Sequence, residues 1–262
     1  MTSPAFYLPD GDAFLATELT RGPWSLDHQH GGPPTALMIR AVETFPQRAA
    51  GLQIARVTVD FLRPVPIARV VCRVAVVRTG RAVQVLAVSV GAPDQVAARA
   101  TVLLVREPGA ALPAPNDHAP PPLPPPESGE AFRLPFFPGT VGYHTAVEGR
   151  WLRGRVGGGA AVAWMRQEIP LVAGETPSPL QRVAVVADSA SGVAAGVDPL
   201  SHTFVNADLT ISVHREPEGE WIGMDGVSVA ERLGLGFTGA VLHDRRGAFG
   251  RSAQAILLGE RG

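Results

Sequence analysis

The chain has 262 residues, 45% hydrophobic and 18% charged, with a formal net charge of −1 and no lysine. That is globular composition with ample material for a core, and it lacks the concentrated basic surface that general nucleic-acid binding needs. Cys72 is the single cysteine, which excludes an intramolecular disulfide and a thiolate metal cluster.

Taken in chain order, the first half opens with predicted strands near 14–20 and 24–28. Pro33 and Pro34 then start a helix, since proline is tolerated in a first turn. Leu37, Ile39, Ala41, Val42 and Phe45 give this helix a broad apolar surface, ending before Pro46. Four β segments follow, at about 53–63, 68–78, 82–90 and 95–106, and Cys72 reads as a packing position in the second of them. Nine prolines between Pro108 and Glu127 remove backbone donors and favour extended geometry, so 108–127 reads as a linker between units 1–107 and 128–262.

The second half repeats the pattern. Strands are predicted near 140–148 and 159–169. Pro179 opens a helix with Leu180, Val183, Ala184 and Ala187 at i, i+3, i+4 and i+7. Further strands follow near 202–214, 220–230, 235–243 and 247–258. Val57-Thr58-Val59-Asp60-Phe61-Leu62-Arg63-Pro64 is echoed by Leu209-Thr210-Ile211-Ser212-Val213-His214-Arg215-Glu216-Pro217. Each half therefore reads β-β-helix-β-β-β-β, an α+β arrangement with an antiparallel sheet curled around one long helix. The N-terminus carries no basic region followed by an apolar run, and no uncharged apolar stretch reaches the roughly 18 residues of a membrane span. A cytoplasmic protein without a membrane span is the expectation.

A tandem helix-and-sheet pattern with His30-Gly31-Gly32 before the first helix, Phe61-Leu62-Arg63-Pro64, Ala187-Asp188, His214-Arg215 and Gln254 resembles the TesB-like acyl-CoA thioesterases, which have a double hotdog fold. The resemblance spans nearly the whole chain outside the linker, and the order of these short motifs carries it.

On the residues alone, Asp188 lies at the edge of its helix's apolar stripe, where a helix-terminal carboxylate and a half-buried base are both open readings. Burial makes a carboxylate the better base when nearby donors keep it ionised. The resemblance implies the base. Gln254 is a polar amide among Ala253, Ala255, Ile256 and Leu257, where the first half shows Ala100. It reads either as a solvent-facing edge residue or as an amide that orients water. The resemblance implies the latter. Asn206 stands where the family usually has threonine or serine. Regular strand alternation points it away from the helix, with Asp208, Thr210 and Ser212, unless a bulge turns it back. Gly31 and Gly32 bring backbone to the start of the first helix, where free amides and the helix dipole would stabilise an oxyanion. Together with His30 they are the expected substrate-binding residues. No metal site is expected from Asp27-His28-Gln29-His30, and no cofactor is implied.

The resemblance thus implies hydrolysis of an acyl-CoA thioester by base-activated water, with acyl-CoA the expected partner and lipid metabolism the setting. Further association into a homo-oligomer stays open. Two other readings remain. One is a hotdog hydratase or dehydratase acting on enoyl-CoA, disfavoured because His30 precedes the wrong helix for a simple pairing with Asp188. The other is a non-catalytic acyl-CoA-binding module, for which Asn206 in place of a hydroxyl residue is the main support. No G-x-S-x-G elbow, H-E-x-x-H or P-loop pattern is present.

Overall fold

The computed structural model describes residues 4–107 and 120–261. The first half contributes strands β1 (Tyr7–Asp10), β2 (Ala13–Ala16), β3 (Leu52–Phe61), β4 (Arg69–Thr79), β5 (Val83–Ala92) and β6 (Gln95–Arg106), with helix α1 (Gly32–Glu43). The second contributes β7 (Glu130–Phe132), β8 (Val147–Gly154), β9 (Ala160–Gln167), β10 (His202–Asn206), β11 (Asp208–Val213), β12 (Trp221–Ala230), β13 (Leu235–Asp244) and β14 (Gly247–Glu260), with helices α2 (Pro179–Ala187) and α3 (Ala190–Val193). This is the double hotdog α+β fold that the tandem pattern anticipates.

The strands form one 14-stranded sheet in the order β1-β2-β4-β5-β6-β3-β11-β14-β13-β12-β9-β8-β7, with β10 also paired to β14. The two halves meet where β3 pairs antiparallel with β11, from Asp208 opposite Asp60 to Ser212 opposite Arg56. Inward-facing apolar residues alternate along the strands because successive side chains point to opposite faces. They close over α1 and α2, whose Leu37, Met38, Ile39, Val183, Ala184 and Val186 are fully buried.

Each helix start is written locally. Pro179 occupies the first turn of α2, and Ser178 caps it by accepting a hydrogen bond from the Gln181 amide at 3.2 Å. α1 begins without a side-chain cap, at Gly31. Gly32 lets it approach α2 closely, since a Cβ there would lie 2.2 Å from the Val185 carbonyl oxygen.

Some expected boundaries shift. The strands foreseen near 14–20 and 24–28 are Tyr7–Asp10 and Ala13–Ala16, followed by a 3-10 turn at Glu18–Thr20. Thr17 caps that turn, and two isolated bridges, Arg21 with Gln29 and His28 with Pro66, hold the irregular stretch behind it. Likewise Tyr143–Thr145 is a 3-10 turn, so the strand foreseen near 140–148 begins only at Val147. The segment foreseen as one strand at 202–214 is two, β10 and β11. Residues 108–119 of the expected linker lie outside the described residues. Its last part packs on the second half: Pro126 is buried and the Pro124 carbonyl accepts from Trp164 Nε1 at 2.8 Å. Cys72 is partly buried, and desolvation pushes its thiol up to about 12, as befits a packing residue. No helix among the described residues is long and apolar enough to cross a membrane.

Candidate functional site

Asp188 is the C-cap of α2 and only 3% exposed. α2 and α1 run side by side in opposite directions, so the end of α2 meets the beginning of α1. There, Gly31 leaves room for the carboxylate. A Cβ on it would lie 2.9 Å from both Asp188 oxygens and 2.7 Å from the Phe61 ring. The positive end of the α1 dipole thus faces a negative group.

Three side chains converge on Asp188. Asn206 Nδ2 donates to Oδ1 at 2.7 Å. Gln254 Nε2 donates to the Asp188 carbonyl at 3.2 Å and, more weakly, to Oδ1 at 3.4 Å. His30 Nδ1 lies 3.0 Å from Oδ2. The hydrogen bond from the Gly32 amide to His30 Nδ1, at 3.1 Å, completes the cluster. The expected pairing obstacle for His30 is therefore corrected: because the helices are antiparallel, the residue before α1 is beside the residue after α2.

A register shift explains Asn206. Asn206 pairs with Ile256 and Thr210 with Ala253, so four steps along β10–β11 match three along β14. This is the bulge that a regular strand would have lacked, and it turns Asn206 to the same side as Phe204, Leu209 and Ile211. Asp208 secures it by accepting from the Ala255 amide at 2.6 Å. The register also replaces the expected counterpart of Gln254. Thr58 faces Thr101 as Thr210 faces Ala253, so Val102, not Ala100, occupies that place in the first half. Gln254 is 1% exposed, and its Oε1 has no partner among the described residues.

The cluster forms part of the wall of a cavity of about 560 Å³ between the halves. His30, Gly31, Asp188 and Asn206 line it; Gly32 and Gln254 do not, and the Gly32 amide is given to His30. The Gly31 amide has no hydrogen-bond partner among the described residues. Elsewhere the cavity is aromatic, with Trp24, Phe61, Phe136, Phe137 and Phe204. Trp24 meets Phe204 edge-on at 4.9 Å and stacks on Phe136 at 6.2 Å.

Tyr143 was not singled out by the sequence. Its ring stacks on His30 at 3.8 Å and an interplanar angle of 3°. Its hydroxyl donates to the Val185 carbonyl at 2.9 Å and lies 2.8 Å from Ser189 Oγ. Burial pushes the phenol up, so it stays neutral. Burial lowers His30, against an opposing pull from Asp188. The signal for these residues was compositional: Phe132, Phe136, Phe137 and Tyr143 crowd into a chain with ten phenylalanines and two tyrosines.

Comparison with known proteins follows the same lines. Residues 20–105 match the model of the acyl-CoA thioesterase N-terminal domain, and residues 115–258 that of the acyl-CoA thioesterase C-terminal domain. The chain belongs to the acyl-CoA thioesterase family, in its TesB-like, double hotdog form. Among solved structures, a conserved hotdog protein of Alicyclobacillus acidocaldarius superposes with a TM-score of 0.76 at 18% identity, covering 98% of this chain and 96% of that one. The tesB protein of Mycobacterium avium subs paratuberculosis gives 0.69 at 18% identity, with 97% and 95% covered. Acyl-CoA thioesterase II TesB2 of Mycobacterium marinum gives 0.67 at 17%, with 97% and 95% covered. At these identities the likeness is one of fold. No curated protein matches the chain.

Proposed function

We propose that the chain hydrolyses an acyl-CoA thioester to the free acid and coenzyme A, using water activated by Asp188. The observation that carries this reading is the convergence of Asn206, Gln254 and His30, from three separate segments, on one buried carboxylate in the wall of an apolar cavity. In this reading Asp188 takes a proton from water. Gln254 holds that water through its otherwise unpartnered Oε1, since a buried amide oxygen calls for a donor. Asn206 acts on the base: its amide already donates to Oδ1 and so fixes the carboxylate's orientation. The Gly31 amide, at the start of α1, meets the charge that develops on the thioester oxygen. The aromatic walls take the acyl group. General base assistance contributes on the order of 10²–10⁴-fold. We further propose that 1–107 and 128–262 act as the two units, joined by 108–127.

The test is thiol release from acyl-CoAs of short, medium, long and aromatic acyl groups, with the free acid quantified alongside. Stoichiometric thiol and acid from at least one class are expected. A folded protein that releases thiol from none contradicts the reading. The His30–Asp188 contact at 3.0 Å favours a second reading, addition of water to an enoyl-CoA. Loss of enoyl absorbance without thiol release would select it.

A further inference from the structure

The role of His30 reaches beyond substrate binding, and the inference rests on the thioesterase reading. The leaving group of a thioester is a thiolate, and hydrolysis needs a proton to reach that sulfur as well as a base to take one from water. Asp188 supplies only the second.

The surroundings of His30 fix both its plane and its tautomer. Its ring lies flat on Tyr143 at 3.8 Å, and Tyr143 is itself tied to the Val185 carbonyl. The Gly32 amide donates to Nδ1, which puts the ring proton on Nε2. Nε2 has no protein partner among the described residues and stays accessible from the cavity that His30 lines. On the other side, Asp188 Oδ2 is 3.0 Å from Nδ1. A carboxylate there gains nothing from the lone pair of Nδ1, but a carboxylic acid donates to it. The contact therefore strengthens once Asp188 has taken its proton.

We propose that His30 is the general acid of the reaction, protonating the departing sulfur from Nε2. The proton balance closes. Water gives one proton to Asp188 while its oxygen bonds to the carbonyl carbon. When the tetrahedral adduct collapses, the C–S bond breaks, sulfur keeps the electron pair, and Nε2–H supplies its proton. Asp188 returns its proton to His30 at Nδ1, so the imidazole changes tautomer without becoming charged. Solvent exchange then restores the proton to Nε2. Water and thioester become acid and thiol, and no other reactant is needed. Burial, which disfavours an imidazolium, suits a relay through the neutral ring.

The test is a leaving-group series: one acyl group carried on coenzyme A, N-acetylcysteamine and a set of thiophenols of rising acidity, followed in single turnover. With an acid at the sulfur, the wild-type rate is expected to be nearly flat across the series. His30→Asn is expected to slow the coenzyme A thioester on the order of 10²-fold, as loss of a general acid does, and the most acidic thiophenol ester by less than about fivefold. A wild-type rate that climbs steeply with thiol acidity overturns the proposal. So does an equal loss on every leaving group in His30→Asn, which marks a purely structural residue. Should His30→Asn fail to fold, the wild-type slope decides alone. A wild type that hydrolyses no member of the series overturns the thioesterase reading instead.

Discussion

Asp188 and Gln254 were legible as candidates, being polar residues set in apolar runs where a buried polar group needs partners, while their roles were implied only by the family resemblance. The partners themselves were not legible. His30 reaches Asp188 only because α1 and α2 lie antiparallel, a tertiary fact with no local signature. The glycines show the same limit. Gly31 and Gly32 stood out together, yet one borders the cavity and the other permits helix–helix contact. Gly32→Ala is expected to overpack that contact, since its Cβ would fall 2.2 Å from the Val185 carbonyl, and to cost about 1–3 kcal/mol. Urea unfolding measures it. Asn206→Ala should leave KM nearly unchanged and lower kcat about tenfold, of the order of one lost hydrogen bond to a charged group. Steady-state kinetics checks the split.

At the scale of elements, strand and helix periods gave nearly every long segment within a few residues, because burial on one face dictates them. What the periods miss are insertions of single residues. Asn206 alternates outward in a regular strand, and only the bulge between β10 and β11 brings it to the carboxylate. Asp208 maintains that bulge through the Ala255 amide. Asp208→Ala is therefore expected to cost about 1.5–3 kcal/mol of stability, the range for a hydrogen bond to a charged group, and to lower kcat as Asn206 loses its setting. Denaturant unfolding and kcat are measured on the same protein. A stability loss with unchanged kcat would separate the bulge from the site. The irregular stretch before α1 and the turn at Tyr143–Thr145 were misread as strand for a related reason: isolated bridges and caps shape them, not periodicity.

For the whole molecule, the internal echo foretold two similar units, and their union is the β3–β11 ladder that makes one sheet of both. Groups unrelated to the site are buried as well. His243 on β13 is 1% exposed, with neither ring nitrogen bonded among the described residues. Burial lowers its affinity for a proton, opposed by Asp225 and Asp244. The unfolded chain therefore binds a proton here that the folded chain resists. Stability from this position is complete above about 6.5, the ordinary histidine value, and declines as pH falls through and below it. His243→Leu should remove that term. Between pH 7.5 and 5.5, urea unfolding is expected to shift in favour of the variant by up to about 1.4 kcal/mol per pH unit. A constant difference would mean that the folded state accepts the proton freely.

The claim on which the account turns is that one carboxylate, at the junction of two antiparallel helices, activates water against a thioester. Asp188→Asn keeps the shape and removes the charge. Thiol release by this variant, on whichever acyl-CoA the wild type turns over best, is expected to fall by about 10²–10⁴-fold while its unfolding midpoint stays near that of the wild type. A folded Asp188→Asn protein that turns over at the wild-type rate would contradict the account.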